Sequence, residues 1–247
     1  MDEQKNNIEY DIADVVIGRP YGFSVGHKHF NLYPVTLAKM YLLKRQIDSL
    51  EVNYTNLIRN PYVEALRLVT LHRETCCHII AYHTAPNTYK DLYDRRSITI
   101  RKNCFEKELT DEEMATLLIM VLTDDKTEKY IQHLGIDKER ERMQKVMEVK
   151  RRSDSNNISF GGMSVFGTFI GQLKEMGYSD NEILYEKGYA YLRLMLADKV
   201  TSIYLTDDEK AQVPAMQMVG CMDASDPANA ESILIAFQNK GVKAQEE

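Results

Sequence analysis

Two histidines and a cysteine fall on one face of a helix predicted from the sequence. At about 100° per residue, His72, Cys76 and His83 lie within about 40° of one another around the helix axis. Imidazole and thiolate groups are ligands for zinc or iron. His83, however, stands about 10 Å further along the axis than Cys76, because each residue rises about 1.5 Å. No CxxC or HExxH motif accompanies them. The pattern therefore favours a buried cysteine and a hydrogen-bonded histidine in a core helix, without a metal.

Two glycine-containing segments approach known functional motifs without matching them. Gly22 and Gly26 precede Lys28, but the spacing differs from GxxxxGK[ST] and a strand is predicted to follow, so no helix N-terminus is there to bind phosphate. Ser164 has its second flanking glycine, Gly167, one residue too far away for the GxSxG elbow. No nucleophile, base and oxyanion donor come together in the sequence. It therefore predicts a non-enzymatic protein without a cofactor.

A predicted helix over 138–152 concentrates positive charge in an acidic chain. Seven lysines and arginines stand there against three glutamates, which gives this helix a net charge of +4. Such a helix could contact a phosphate backbone, although alternating signs are more typical of a solvated face with i,i+4 ion pairs. Nucleic-acid binding is therefore the disfavoured alternative. Its candidate residues are Arg140, Arg142, Lys145, Lys150, Arg151 and Arg152, with Arg95, Arg96, Arg101 and Lys102 as further contacts.

Composition restricts the class of protein that these residues belong to. The 247 residues include 31 Lys and Arg against 37 Asp and Glu, a formal charge of −6, with a hydrophobic fraction of 44%. These values are ordinary for a globular chain with a sizeable core. No run approaches the ~20 apolar residues of a membrane helix, and the polar N-terminus does not resemble a signal sequence. Four cysteines, two of them adjacent, do not suggest a disulfide framework. We therefore expect a soluble, cytoplasmic protein that makes no membrane contact.

The N-terminal part of the sequence combines β-type and helical patterns. Short apolar runs separated by glycine occupy 13–33, beginning with Val15-Val16-Ile17, and between Phe23 and Leu32 apolar residues alternate with polar ones. This is the pattern of a small sheet built on a hairpin. Helical periodicity follows from Pro34. A further short strand is predicted over 95–101, where two isoleucines alternate with polar residues.

Several helix starts carry recognisable capping residues. Asn60 and Pro61 suit an N-cap and a first helical position, and Thr110 with Glu113 has the sequence of a capping box. Thr206 repeats the capping-box pattern before a short helix. The other predicted helices span 125–134, 137–152, 166–177 and 180–203, and a last one begins at Asp226-Pro227.

A polar segment without periodicity, 153–162, separates two stretches of helical pattern. The sequence therefore predicts an N-terminal domain of sheet and helices over 1–152, a flexible linker over 153–162, and a C-terminal helical domain over 163–247. The expected fold class is mainly α: a helical bundle with a small N-terminal β-hairpin.

Three stretches rich in glycine and aromatic residues carry a family resemblance. They are Tyr21-Gly22-Phe23-Ser24-Val25-Gly26 continued by Phe30, Leu32-Tyr33-Pro34 and Thr36-Leu37; Gly161-Gly162-Met163-Ser164-Val165-Phe166-Gly167; and Gly177-Tyr178-Ser179 continued by Ile183-Leu184-Tyr185, Tyr189, Leu192 and Met195-Leu196-Ala197-Asp198. Together they cover about a third of the chain. They resemble the tail assembly chaperones and related small tail-module proteins of tailed phages and prophages of gut bacteria.

The resemblance implies a non-enzymatic assembly factor with a protein partner, a tape-measure or tail-tube protein. Such a factor shields the apolar surface of its partner before the tail tube polymerises, and needs grooves between amphipathic helices to do so. The residues expected to line a groove are Phe166, Phe169, Leu173, Tyr185, Tyr189 and Leu192. A virion structural component and a nucleic-acid-binding accessory protein are the alternatives.

Overall fold

The computed structural model of the protein describes residues 2–123, 126–153, 164–199, 203 and 205–213. It confirms a mainly α fold with one two-stranded antiparallel hairpin. The elements of the N-terminal part are α1 (Asp2–Ile17), β1 (Tyr21–Val25), β2 (Lys28–Leu32), α2 (Leu37–Ser49), α3 (Tyr54–Arg59), α4 (Pro61–His83), α5 (Tyr89–Tyr93), α6 (Arg95–Glu108) and α7 (Asp111–Leu122). They are followed by α8 (Thr127–His133), α9 (Ile136–Ser153), a π-helical turn (Phe166–Ile170), α10 (Gly171–Glu175), a second π-helical turn (Glu182–Glu186), α11 (Tyr189–Ala197) and α12 (Asp207–Gln212).

The hairpin forms where the alternating pattern predicts it. Phe23 pairs with Phe30 across the two strands, and Gly26 takes the positive φ of +57° that the tight turn needs. The rings of Phe23 and Phe30 pack on the buried ring of Phe105 at centroid distances of 6.1 and 4.8 Å. The hairpin is therefore fixed to the helical core by an aromatic trio.

The strand predicted at Val15-Val16-Ile17 is wrong, because these residues close helix α1. Gly18 has a φ of +64°, its N–H donates to the Val15 carbonyl, and the Arg19 N–H donates to the Asp14 carbonyl. This is a Schellman C-cap, which ends a helix at a left-handed glycine. The glycine that suggests a strand boundary in the sequence is therefore a helix terminator.

The strand predicted over 95–101 is also wrong, because this segment opens helix α6. The Asp94 carboxylate accepts hydrogen bonds from the backbone N–H groups of Arg96 and Ser97, which caps the helix N-terminus. Ile98 and Phe105, seven residues apart, are both buried on one helix face. A cap and a long-range apolar repeat outweigh the local alternation.

Helix α4 forms the centre of the largest hydrophobic cluster, and α6 and α7 pack against it. Its start is as predicted, with the Asn60 side chain accepting from the Val63 N–H and Pro61 in the first turn. Its interior is interrupted at His72, where φ is −134° and ψ is 39°. The helix therefore consists of two segments joined by a kink.

Helix α7 begins with the predicted capping box. The Thr110 hydroxyl accepts from the Glu113 N–H at 3.2 Å, and the Glu113 carboxylate accepts from the Thr110 N–H at 2.9 Å. Thr206 and Glu209 form the same arrangement at the start of α12. Each box satisfies two backbone donors that the helix itself leaves without a partner.

We expect Thr110→Ala to lower the free energy of unfolding by about 1 kcal/mol, because the first turn of α7 loses its side-chain acceptor. Urea denaturation measures this loss. Thr116→Ala makes the same chemical change at an exposed position inside α7 and should alter stability by no more than about 0.5 kcal/mol. Equal losses for the two variants would show that the box contributes nothing.

The single helix predicted over 180–203 is wrong. The second π-helical turn, Glu182–Glu186, is followed by Lys187, whose backbone is extended with φ −88° and ψ 134°. Helix α11 starts after Gly188. Gly188 pairs with Thr36, and the Tyr189 N–H donates to the Val35 carbonyl at 2.7 Å. This non-local strand-like pairing interrupts the helix, and no local pattern encodes it. The helix predicted over 166–177 likewise begins with a π-helical turn before α10.

Residue contacts divide the chain into two units. The first comprises Met1–Asp137 and Ser159–Val200, and the second comprises Lys138–Ile158 and Thr201–Glu247. In the second unit, Val146 and Val149 of α9 form a small cluster with Leu205 and Val213. Apart from Ser153, the linker predicted over 153–162 lies outside the described residues, as does the helix predicted from Asp226.

Candidate functional site

The predicted groove residues divide into a buried pair and a more accessible set. Leu173 and Leu192 are fully buried in a cluster with Leu37 and Ile183. These two side chains therefore pack in the core, beneath the more accessible groove candidates. Phe166, by contrast, is 75% exposed in the first π-helical turn.

Phe169 and Tyr189 lie side by side above this cluster. Their ring centroids are 5.4 Å apart, and both side chains are half-buried. The Arg193 guanidinium lies 6.0 Å from the centroid of the Tyr189 ring. The structure thus brings Phe169, Tyr189, Leu173 and Leu192 together in one part of the first unit.

Tyr185 belongs to a separate group of rings, which we call the tyrosine cluster: Tyr89, Tyr93 and Tyr185. The centroids of the Tyr89 and Tyr93 rings are 4.7 Å apart with the planes tilted by 34°, and Tyr185 meets Tyr89 edge-on at 5.9 Å. Tyr89 and Tyr93 are 61% and 52% exposed. Sequence reasoning missed these two residues, although their i,i+4 spacing on a short helix after Pro86 was a usable signal.

The surroundings of Tyr185 keep its hydroxyl protonated. Partial burial and the neighbouring Tyr93 and Tyr89 hydroxyls raise the pKa of Tyr185 above its ordinary value. Tyr185 therefore offers a flat apolar ring and a hydroxyl that can both donate and accept hydrogen bonds.

A cavity of about 500 Å³ lies within the first unit. Its wall is formed by residues of α1, the hairpin, α2, α7 and α11 and of the segment between the hairpin and α2; Tyr33, Tyr189 and Tyr191 are among them. Its volume is in the range of sites for small organic molecules. None of the local motifs in the sequence indicates it, because its wall comes from segments more than 150 residues apart.

Two buried titratable residues, Lys39 and His83, are part of the cavity wall. The Lys39 Nζ donates to the carbonyl oxygens of Ala85 at 3.1 Å and His83 at 3.4 Å, and lies 5.5 Å from the Tyr33 ring centroid. The ammonium group therefore sits at the C-terminus of α4, where the carbonyls carry partial negative charge.

Burial changes the titration of both residues. Desolvation, helped by the nearby Arg101 charge, lowers the pKa of Lys39 from 10.5 to about 7. Desolvation and the Lys39 charge also hold the pKa of His83 well below 6.5, so that this imidazole is neutral at pH 7. Both shifts reflect the cost of keeping a charge out of water.

The possible metal face of α4 is not assembled. The kink at His72 breaks the uniform rotation that would align it with Cys76 and His83. The Cys76 thiol is buried, donates to the Leu68 carbonyl, and has its pKa raised by desolvation to about 12, so it is not a thiolate ligand. Across the described part of the chain, no group of three or more His, Cys, Asp or Glu side chains could hold a metal ion. The His83 Nδ1, expected to be hydrogen-bonded, has no partner among these residues.

The basic helix α9 contains charges that are already engaged. Arg142 pairs with Glu139 one turn away, and Lys150 donates to both carboxylate oxygens of the buried Glu209 at 3.2 Å. The other candidate cations of this helix are Arg140, Lys145, Arg151 and Arg152, all in the second unit. Ion pairs within the protein reduce the charge that a phosphate backbone could use.

The further basic candidates belong to α6 and are partly engaged as well. Arg101 donates to the Thr84 carbonyl at 3.0 Å and lies 5.9 Å from the centroid of the Phe30 ring. Lys102 pairs with Glu74. Arg95 and Arg96 stand exposed in the first turn of the helix.

Within the ranges that the structure describes, no helix has the length and apolar character needed to cross a membrane. Comparisons with known proteins found no matching family model, no matching curated protein and no matching solved structure.

Proposed function

We propose that this chain is a non-enzymatic assembly factor that binds another polypeptide, in the manner of a phage tail-assembly chaperone acting in the host cytoplasm. The observation that carries the proposal is the tyrosine cluster, in which Tyr89 and Tyr93 expose more than half of their surface beside Tyr185. Exposed rings that already pack against one another lose little conformational freedom when a partner covers them.

The chemistry of the exposed rings supports a polypeptide as the ligand. Tyrosine contributes a large apolar face and one polar hydroxyl, and it is enriched among the residues that dominate protein interfaces. Phe166, 75% exposed, adds a purely apolar anchor elsewhere in the first unit. A tape-measure protein before tube assembly presents the apolar helical surface that such rings would cover.

Co-expression with the tape-measure protein of the same tail module tests the proposal. We expect the wild-type chain to keep the tape-measure protein soluble and to co-purify with it. The double variant Tyr89→Ser/Tyr93→Ser should lose most of the co-purified partner, because two adjacent anchors are removed.

The matched control is Tyr10→Ser, which changes a tyrosine that is 70% exposed on α1 and lies outside the cluster. It should recover as much partner as the wild type. An insoluble tape-measure protein that does not co-purify with the wild-type chain would overturn the proposal. Equal recovery by the double variant and the control would remove the tyrosine cluster from it.

A further inference from the structure

The buried end of the cavity holds a cation that no carboxylate neutralises. Lys39 has no exposed surface, and among the described residues no Asp or Glu oxygen pairs with its Nζ. A fully buried lysine ordinarily has an acidic partner. Its two bonds to the carbonyls of His83 and Ala85 leave one of the three ammonium hydrogens unused.

The same end holds a polar atom that lacks a partner. The His83 side chain is 2% exposed, and its Nδ1 has no hydrogen bond within the described structure. Burying a polar atom without a hydrogen-bond partner destabilises the folded state. With its proton on Nδ1, the neutral imidazole becomes a second donor in the cavity wall beside Lys39.

The other parts of the cavity wall have a different chemistry. Leu32, Leu43 and Ile47 contribute apolar side chains. Towards solvent, the charges are already paired: Lys126 with Asp11 at 3.0 Å, and Arg19 with Asp14 at 3.3 Å. These four side chains are roughly half exposed or more. Lys39 and His83 are thus buried polar residues of a wall whose surface-exposed charges are already paired and whose remaining side chains include a set of apolar ones.

We infer that this cavity binds a ligand consisting of an apolar body that ends in a carboxylate, with the carboxylate accepting hydrogen bonds from the Lys39 Nζ and the His83 Nδ1. An anion there supplies the missing partner of the ammonium group and satisfies the unused imidazole donor. The nearby Arg101 adds positive potential at the same end. Two sources share this chemistry, a free amphipathic acid and the C-terminus of a polypeptide.

Calorimetric titration of the purified full-length chain, without any partner protein, tests the inference. The first probe pair is 4-phenylbutyrate and its neutral amide. The second pair is a short peptide with apolar final residues, prepared as the free acid and as the C-terminal amide. We expect each acid to bind about tenfold more tightly than its amide, or better, because a hydrogen bond to a charged acceptor is stronger than one to a neutral acceptor.

Two variants locate the binding. Lys39→Met keeps the length of the side chain, removes the buried charge, and should abolish the preference for acid over amide. Lys44→Met removes an exposed cation from the same helix, α2, at a position outside the cavity wall, and should leave the preference unchanged. Because the acid and amide are compared on the wild-type chain as well, the result does not depend on the stability of either variant.

The acid that binds with the higher affinity identifies the source of the carboxylate. A peptide acid that binds better than phenylbutyrate indicates a polypeptide C-terminus, and the reverse indicates a small amphipathic acid. Equal affinities of both acids and their amides for the wild-type chain would overturn the inference. The proposed role in tail assembly does not depend on this result, because its test uses the tyrosine cluster.

Discussion

Replacing Phe105 with alanine should cost about 3–5 kcal/mol of unfolding free energy, a large part of the stability of an ordinary domain. Phe105 is fully buried in α6 and contacts both Phe23 and Phe30. Truncation removes the ring from the core and leaves a cavity beneath the hairpin, since close-packed surroundings relax only in part. Urea denaturation followed by circular dichroism measures the loss.

Two further substitutions make this result specific. Ile100→Ala lies on the same helix at a position that is 57% exposed and should change stability by no more than about 0.5 kcal/mol. Phe105→Leu keeps an apolar side chain of intermediate volume and should fall between the two. A loss for Phe105→Ala as small as that for Ile100→Ala would contradict the packing of the hairpin on α6.

Lys39 should make the stability of the protein rise with pH between about 7 and 10. The pKa of Lys39 falls from 10.5 to about 7 on folding, mainly through desolvation. In this window the unfolded chain binds a proton that the folded chain has released, so the free energy of unfolding increases by about 1 kcal/mol for each pH unit. Below pH 7 both states are charged, and the cost of burying the ammonium is present in full.

The comparison with Lys39→Met isolates this contribution from the other groups that titrate at alkaline pH. Denaturation of both proteins at several pH values should give curves that diverge from pH 7 upwards, with the wild type gaining stability relative to the variant. His83 does not interfere, since its lowered pKa keeps the folded-state imidazole neutral in this window. Parallel curves would show that Lys39 titrates normally.

The sequence predicts those elements whose signals are local. Asn60 with Pro61 and the two capping boxes at Thr110 and Thr206 are all found as predicted, because a cap depends on residues within one turn. The strand wrongly predicted over 95–101 shows that a short stretch of sequence is not enough to predict an element. There the cap at Asp94 and the distant Phe105 decide the structure, and neither lies inside the alternating segment.

The interruption between the second π-helical turn and α11 could not be predicted in the same way. Gly188 pairs with Thr36, and Tyr189 donates to Val35, more than 150 residues earlier in the chain. A continuous helical rhythm through Tyr185 and Tyr189 gives no sign of this pairing. The apolar period is real, but tertiary hydrogen bonds decide where the helix stops.

The residues of the candidate sites also come together through contacts that are not local in the sequence. Sequence reasoning identified Tyr185 and Tyr189 but not the rings of Tyr89 and Tyr93, since ring contacts across the fold are non-local. The position of Lys39 is equally non-local, because its side chain turns inward to two carbonyls at the C-terminus of α4. A lysine in an amphipathic pattern is ordinarily solvated, and only the fold reveals the exception.

The central proposal, that the chain binds another polypeptide, is tested most directly by calorimetric titration of the purified chain at several temperatures. The titrant is a soluble segment of the tape-measure protein proposed as the partner. We predict saturable binding with a negative heat capacity change, the mark of apolar burial. Tyr89→Ser/Tyr93→Ser should weaken the binding by about tenfold or more, and Tyr10→Ser should not. Absence of saturable binding by the wild-type chain, or binding that the double variant retains in full, would contradict the account.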